Sequence, residues 1–250
     1  VSLNLFNFVS ILYAMASVLL IVFFSSIILI SNRLPKGKTT SKFADIFSKS
    51  ANINWLSFSR VFLFGARDVW FVVGVPIYFY TFLSQQNSGL NEFAFFIVGS
   101  FMAIWIIFYG IIQAYVPKLK FIRNKTDKQL LEAPFSWSII LSLAPLSLSI
   151  LLFLIDLSSV SSLIIMVVGL LVFAVLFAIN SSIHSYLILS FTNTERVARD
   201  VGFYYMSNAL GRLFGTILSG LTYQASGLWL CLATSGFMLL ISAFGARKLR

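Results

Sequence analysis

Two arginines and an aspartate interrupt residues 58–74, a stretch otherwise apolar enough for a bilayer. Arg60 and Arg67 are seven residues apart, nearly two helical turns, so both side chains leave the same face of a helix. Asp68 follows about 100° further round. A charge at the centre of a membrane helix costs roughly 2.5–3.5 kcal/mol on insertion scales, and such residues face a cavity or a partner. The planar guanidinium group binds oxyanions through two parallel hydrogen bonds, so we interpret this stretch as the functional centre.

Three other apolar segments carry polar side chains near their middles. Two of them form stripes at steps of three or four residues, which lie on one face of a helix. These stripes are Trp105, Tyr109 and Gln113, and Tyr205, Asn208, Arg212 and Thr216. The third segment contains Asn180, Ser181, His184 and Ser185. Beside Arg212, the glycines Gly211, Gly215 and Gly220 are predicted to let another helix approach closely. We expect Arg67 and Arg212 to approach one cavity, and the predicted substrate-binding set is Arg67, Tyr109, Gln113, Asn180, Tyr205, Asn208 and Arg212.

Several of these residues have a second interpretation. Asn180 and Asn208 fit a cavity lining and fit hydrogen bonding between packed helices equally well. His184, the single histidine, is predicted to pack, with proton transfer as the alternative. Asp68 is predicted to balance an arginine, with proton carriage as the alternative. Arg60 lies nearer one end of its segment, where we expect its side chain to snorkel towards the inner membrane face.

The composition is typical of a membrane protein. Hydrophobic residues make up 59% of the 250 residues and charged residues 10%, against about 25% charged in soluble domains. The net charge of +10 does not indicate nucleic-acid binding, because the basic residues lie in short stretches between apolar runs. One cysteine excludes an internal disulfide. No catalytic constellation, metal-ligand spacing or cofactor fingerprint is present, so we expect no enzyme activity, metal or cofactor.

Seven apolar runs have spanning length. They are residues 3–31, 54–83, 92–116, 135–155, 160–191, 201–224 and 228–246. Fifteen of the 18 Lys and Arg residues lie in loops 32–53, 117–134 and 192–200 and in the tail 247–250, all on one side. The positive-inside rule makes that side cytoplasmic, so the C-terminus is predicted inside.

The spans predict a domain organisation. The chain has no initiator Met, and we expect it to be the C-terminal part of a longer protein. Residues 1–31 are then a helix of a missing N-terminal half, 32–53 a basic loop between halves, and 54–246 a six-helix half. Segment 41–48 fits a surface amphipathic helix and a solvated linker equally well. In chain order, the six spans are polar, polar and apolar, and then again polar, polar and apolar. This order is typical of the three-helix repeats in major-facilitator transporters.

Three segments carry a resemblance to a known family. They are residues 62–73 (FLFGARDVWFVV), 180–188 (NSSIHSYLI) and 200–213 (DVGFYYMSNALGRL). These segments resemble the organoarsenical efflux permeases called ArsJ, members of the major facilitator superfamily. The likeness extends more loosely over about residues 40–246, with loop 117–134 and span 135–155 poorly matched.

The resemblance implies a twelve-helix transporter in the bacterial inner membrane that confers arsenate resistance. In that family, glyceraldehyde-3-phosphate dehydrogenase makes 1-arseno-3-phosphoglycerate and the permease exports it. No family binding residues are carried over, so the site residues above come from depth and charge alone. The competing hypotheses are a carrier for another phosphorylated organic anion and a membrane scaffold that transports nothing.

Overall fold

The chain is helical wherever its structure is described. The computed structural model describes residues 8–29, 50–85, 93–119, 126–154, 159–192 and 196–250. Within these ranges no strand occurs, which confirms the all-α fold class. The helices are α1 (Phe8–Leu29), α2 (Ala51–Phe71), α3 (Gly74–Gln85), α4 (Ala94–Tyr115), α5 (Asp127–Leu154), α6 (Val160–Phe191), α7 (Val197–Ser226) and α8 (Leu228–Ala246), with a 3-10 turn at Val116–Lys118.

Five helical stretches in the described ranges are long and apolar enough to cross a membrane. They are Ala51–Gln85, Ala94–Lys118, Lys128–Leu154, Val160–Phe191 and Leu228–Ala246. The chain therefore has the helices of a membrane bundle. Helix α7 is long enough but is not among the five, because its arginine and polar stripe lower its hydropathy. The described apolar part of α1, Tyr13–Leu29, is shorter, so these two predicted spans stay predictions.

The predicted span 54–83 is broken into two helices. Helix α2 ends at Phe71 and α3 begins at Gly74. Pro76 explains the break, because its ring lacks an N–H and clashes with the carbonyl four residues earlier. The N–H of Val73 donates instead to Ser219 Oγ on α7 at 3.2 Å. The break therefore lies just over one turn beyond Asp68.

Helices extend into the predicted loops by more than three residues at two places. Helix α5 begins eight residues before predicted span 135–155, where Thr126 and Gln129 form a reciprocal capping box. Helix α7 begins at Val197, inside predicted loop 192–200. The short turn between α7 and α8 is confirmed, and Gly227 adopts a φ of 78° there, which favours glycine. The predicted surface helix 41–48 lies outside the described residues.

The chain divides into two compact units, Val1–Phe43 and Ala44–Arg250. In the second unit α2 packs against α7 and α8, α5 against α6 and α8, and α4 against α6. Asn52, at the start of α2, exchanges hydrogen bonds with the backbone of Arg250, through its Nδ2 at 2.5 Å and its Oδ1 at 3.1 Å. The start of α2 and the end of the chain therefore lie on the same side of this unit.

Aromatic side chains form the centre of this unit. The ring centroid of Trp70 lies 5.5 Å from that of Trp105 and 5.0 Å from that of Phe173, both edge to face. Trp105 also donates from Nε1 to the carbonyl of Leu170 at 2.9 Å, so its buried polar atom is satisfied. This cluster joins α2, α4 and α6 next to Arg67.

Candidate anion-binding site

Asp68 joins two arginines that lie in different helices. Its Oδ1 accepts a hydrogen bond from Arg67 Nε at 2.7 Å and lies 2.6 Å from Nη2 of the same guanidinium. Its Oδ2 accepts a hydrogen bond from Arg212 Nε at 3.0 Å. One carboxylate is therefore shared by two guanidinium groups, and the trio keeps one net positive charge. Hydrogen bonds between ionised partners are roughly twice as strong as neutral ones.

The three side chains differ in exposure. Asp68 is 2% exposed and Arg67 9%, whereas the Arg212 side chain is 59% exposed in this chain alone. A buried carboxylate requires charged or hydrogen-bonding partners, and both oxygens of Asp68 have them. The arrangement thus has a buried ion pair on α2 and a more accessible cation on α7.

Aromatic rings surround the Arg67 guanidinium. Its central carbon lies 5.2 Å from the ring centroid of Phe64, 5.5 Å from that of Phe177 and 6.0 Å from those of Phe71 and Tyr109. Cations within about 6 Å of an aromatic centroid are attracted by the ring quadrupole. Arg67 Nη1 also donates to the Tyr109 hydroxyl at 3.4 Å. Side chains from α2, α4 and α6 therefore hold this arginine in place.

Three glycines let α2 and α7 approach closely enough for Asp68 to reach Arg212. A Cβ at Gly215 would lie 2.5 Å from the carbonyl oxygen of Gly65 and 3.0 Å from the Cβ of Asp68. A Cβ at Gly211 would overlap the carbonyl of Val61, and one at Gly65 would lie 2.9 Å from the carbonyl oxygen of Gly211. The predicted close approach of another helix to Gly211 and Gly215 is confirmed, and its partner is α2.

Arg212 keeps hydrogen-bond donors available. Within the part of the chain that the structure describes, Nε is its one donor engaged with a side chain, on Asp68. The two terminal amino groups of the guanidinium have no side-chain acceptor among the described residues and can donate to another acceptor. A planar fork of this kind matches the oxygens of a carboxylate or a phosphate.

Of the two predicted residues on α4, Tyr109 contacts Arg67, whereas Gln113 is linked through Ser181 to Arg60. Tyr109 accepts the hydrogen bond from Arg67, and Gln113 Nε2 donates to Ser181 Oγ on α6 at 3.4 Å. Both are partly buried, while most of the neighbouring α4 side chains are exposed. The stripe predicted on α4 is therefore the face that meets α6.

The two predicted asparagines occupy different surroundings. Asn180 is fully buried and donates from Nδ2 to Ser138 Oγ on α5 at 2.9 Å, a bond between packed helices. This contact favours the helix-packing alternative for Asn180. Asn208 is partly buried, and Tyr205 is 55% exposed, on the same side of α7 as Arg212.

The expectation that Arg60 snorkels towards a membrane face is wrong. The residue is 3% exposed, and its guanidinium carbon lies 3.9 Å from the ring centroid of Phe64, one turn further along α2. The side chain therefore lies inside the bundle beside Phe64 and not at its surface. Its Nη1 donates to the carbonyl of Ser181 at 3.3 Å and to the hydroxyl at 3.1 Å. Attraction to aromatic rings and to α6 acceptors keeps the cation inside the bundle.

His184 is fully buried on α6. Neither ring nitrogen has a hydrogen-bond partner among the described residues, although the ring interacts electrostatically with Arg60. The predicted packing of this residue agrees with its burial.

Two residues of this region, Ser181 and Tyr204, were not in the predicted substrate-binding set. Ser181 accepts from both Arg60 and Gln113, and the ring of Tyr204 lies 4.8 Å from the Arg60 guanidinium carbon. Tyr204 belongs to a buried stripe on α7 that otherwise has small residues at steps of three or four. That stripe contains Tyr204, Ser207, Gly211, Gly215 and Ser219. Small residues at this spacing are the sequence signal of a helix interface, and they lie beside the predicted polar stripe.

Within the described ranges, no group of three or more His, Cys, Asp or Glu side chains is placed to hold a metal ion.

Comparison with protein-family models, with curated proteins and with solved structures found no significant match. The arginine and aspartate geometry is therefore the ground on which a function is argued.

Asp68→Asn is expected to destabilise the protein. An amide offers one oxygen and turns N–H groups towards a guanidinium, so two cations lose their shared counter-ion. Loss of one partner from a buried ion pair costs about 3–5 kcal/mol. We expect a lower melting temperature in detergent, partly restored by glycerol 3-phosphate, which supplies negative charge to the arginines.

Asp200→Asn is the matched control for this substitution. Asp200 is also buried, but its ion pair with Arg196 is longer, at 3.9 Å, and the arginine is 21% exposed. We expect a smaller decrease in melting temperature and no restoration by the phosphate ester. A wild-type melting temperature for Asp68→Asn would contradict the role of the carboxylate as the shared counter-ion.

Proposed function

We propose that residues 44–250 act as one six-helix half of a secondary transporter for an organic oxyanion. The observation that carries the proposal is Asp68, whose one negative charge is shared by Arg67 and Arg212. The trio retains a positive charge, and Arg212 retains donors for a ligand. An anionic ligand would balance that charge and accept those hydrogen bonds.

The position of the trio supports a transport site better than a purely structural ion pair. A purely structural ion pair is neutral, whereas this trio has one unbalanced positive charge and the Arg212 side chain is 59% exposed. Helix α7 is also unlike a helix that lipid surrounds, because the side that carries Arg212 is polar. Its polar side is suited to a water-filled path between two halves.

The helix packing supports a major-facilitator type of arrangement. In two three-helix repeats, α2 would correspond to α6, α4 to α7 and α5 to α8. Under this correspondence the α2–α7 contact matches the α6–α4 contact. The α2–α8 contact likewise matches the α6–α5 contact, and all four contacts are present. Two three-helix repeats related by a pseudo-two-fold axis produce this pattern. The contact between α7 and α8 is the exception, since α4 and α5 have no comparable contact among the described residues.

The proposed cargo is 1-arseno-3-phosphoglycerate, exported across a bacterial inner membrane with the C-terminus in the cytoplasm. This choice rests on the resemblance to the organoarsenical permeases, and it links the protein to glyceraldehyde-3-phosphate dehydrogenase. The arginine geometry supports any phosphorylated organic anion equally, because guanidinium groups bind arsenate and phosphate oxygens alike. A carrier of another such anion is therefore the second candidate.

Arsenate resistance tests the proposed cargo. An arsenate-sensitive bacterium would express the full-length gene with and without the dehydrogenase, and growth would be measured over a range of arsenate concentrations. We expect resistance when both genes are present and its loss in Arg212→Gln. The control is arsenite, to which resistance should not change. Absence of arsenate resistance, together with glycerol 3-phosphate binding that Arg212→Gln weakens, would favour a carrier of another phosphorylated anion.

A membrane scaffold predicts a different result. In a scaffold the arginines would affect folding alone, so Arg212→Gln would lower the melting temperature and leave phosphate-ester binding absent in both proteins. In a transporter the variant should fold normally, because the Arg212 side chain is largely exposed, and should lose anion uptake into inverted membrane vesicles. Wild-type anion uptake by a folded Arg212→Gln variant would contradict the proposal for this site.

A further inference from the structure

Arg60 is a buried cation separate from the Arg67–Asp68–Arg212 trio. It is 3% exposed and lies near two aromatic rings, 3.9 Å from the centroid of Phe64 and 4.8 Å from that of Tyr204. Among the described residues, Arg60 donates two hydrogen bonds from Nη1 to Ser181. Buried guanidinium groups normally have several hydrogen-bond partners and a carboxylate.

No carboxylate neutralises Arg60 among the residues that the structure describes. Asp68 is paired with Arg67 and Arg212, and Asp200 is paired with Arg196. Both oxygens of Asp68 are already used by the other two arginines. Aromatic rings offset part of the desolvation of a cation but do not cancel its charge. The interior therefore has a second unbalanced positive charge at Arg60.

Within the described part of the chain, buried polar atoms without hydrogen-bond partners lie on Arg60 itself and on His184 of the neighbouring helix α6. Arg60 Nε is buried and has no hydrogen-bond partner in the described ranges, and the same holds for both ring nitrogens of His184. His184 is fully buried on α6 and interacts electrostatically with Arg60. A buried polar atom without a partner is destabilising, so several together indicate a site that a ligand completes.

The position is close to the first arginine site. The guanidinium carbons of Arg60 and Arg67 lie 3.9 Å and 5.2 Å from the same Phe64 centroid, so at most about 9 Å separates them. Both arginines leave one face of α2, and Arg60 is nearer the end that meets Arg250. An extended three-carbon chain with an oxyanion group at each end spans a comparable distance.

From these observations we infer that Arg60 forms a second oxyanion subsite between α2, α6 and α7. It takes one phosphate-type group, which accepts hydrogen bonds from Arg60 and, where the ring presents an N–H, from His184. The inference rests on the proposed function, since it adds a second position to the same anion path. The group comes from the far end of an anion held at Arg67 and Arg212, or from a separate anion.

Binding of two probes to the full-length protein in detergent tests the subsite. Glycerol 3-phosphate has one phosphate group, and 1,3-propanediol bisphosphate has two. If one molecule spans both positions, wild type binds the bisphosphate about ten- to a hundredfold more tightly, and Arg60→Gln abolishes this preference. If separate anions bind, wild type takes two molecules of glycerol 3-phosphate and Arg60→Gln takes one. Either result supports the subsite and identifies the source of the group.

The subsite would be overturned if Arg60→Gln kept the wild-type affinity for both probes, the preference for the bisphosphate and the number of bound molecules. Water or protein motion would then satisfy the unpartnered nitrogens of Arg60 and His184. The proposed function has its own readout, because glycerol 3-phosphate binding should weaken in Arg212→Gln whatever Arg60 does. Failure of wild type to bind either probe would remove both proposals. Weaker binding in Arg212→Gln with no effect of Arg60→Gln would remove the subsite alone.

Thermal stability separates a ligand site from a structural arginine. Removing an unbalanced buried charge should not destabilise the unliganded protein, so Arg60→Met is expected to melt at or above the wild-type temperature without phosphate. With 1,3-propanediol bisphosphate it should gain less stability than wild type. A melting temperature lowered equally with and without the probe would show a structural role and overturn the inference. If neither the Gln nor the Met variant folds, Arg60→Lys is tested with the same two probes, and it should lose the preference for the bisphosphate or the second bound molecule, because lysine lacks the planar fork.

Discussion

Arg212→Lys is expected to weaken binding of phosphate esters by about ten- to a hundredfold. Lysine keeps the positive charge but loses the planar fork, and each lost charge-assisted hydrogen bond costs roughly 1.5–3 kcal/mol. Arg67→Lys should weaken binding to a similar degree. Because Arg67 also binds Asp68 through Nε and Nη2, its replacement should destabilise the protein as well, whereas Arg212→Lys should fold normally. Isothermal titration with glycerol 3-phosphate and thermal unfolding in detergent measure the two effects separately.

Arg247→Lys is the control for these variants. Arg247 lies beyond the end of α8, 5.8 Å from the ring centroid of Phe135, and takes no part in the trio. We expect wild-type binding and stability for this substitution. If Arg67→Lys and Arg212→Lys both bind the ester as tightly as Arg247→Lys does, the charge alone is sufficient and the fork has no role.

Gly211→Ala is expected to be among the most destabilising single substitutions in the chain. The added Cβ would overlap the carbonyl of Val61, a backbone atom of α2 that cannot rotate away. The helices must separate, and overpacking of this kind costs about 1–3 kcal/mol or more. Separation of α7 from α2 would also lengthen the bond from Arg212 to Asp68. We therefore expect a lower melting temperature and weaker phosphate-ester binding in the same variant.

Gly220→Ala on the same helix is the matched control. A Cβ at Gly220 would meet nothing within 4 Å, so the substitution should add helix propensity without a clash. We expect stability at or slightly above that of wild type. Equal stability of the two alanine variants would mean that the α2–α7 interface adjusts freely, which would contradict a site dependent on close helix approach.

The sequence by itself predicted the class of fold and much of the site. Apolar runs of spanning length fix helices because buried backbone groups in lipid must bond within their own segment. The unusual cost of charge in such runs singled out Arg67, Asp68 and Arg212. The spacing of Tyr109 and Gln113 predicted the face of α4 that meets α6, since one residue advances a helix by about 100°. Gly211 and Gly215 likewise predicted a close helix contact.

Tertiary structure alone decided which residues meet. Asp68 and Arg212 are 144 positions apart, and periodicity along one helix contains no information on the partner of another. The same limit applies to Asn180, whose partner Ser138 lies in a segment that the sequence showed only as apolar with hydroxyls. The break after Phe71 depends on Pro76 together with an acceptor, Ser219, that packing provides.

Arg60 shows most directly why the sequence alone could not place every side chain. Its position near a helix end predicted that it would extend to the membrane surface, because charged groups seek water. The folded bundle instead places Phe64, Tyr204 and Ser181 around it. The direction of a long side chain depends on which rings and acceptors lie within its reach, and those come from three helices. Residue type and depth determined that Arg60 is costly, and packing determined where its charge lies.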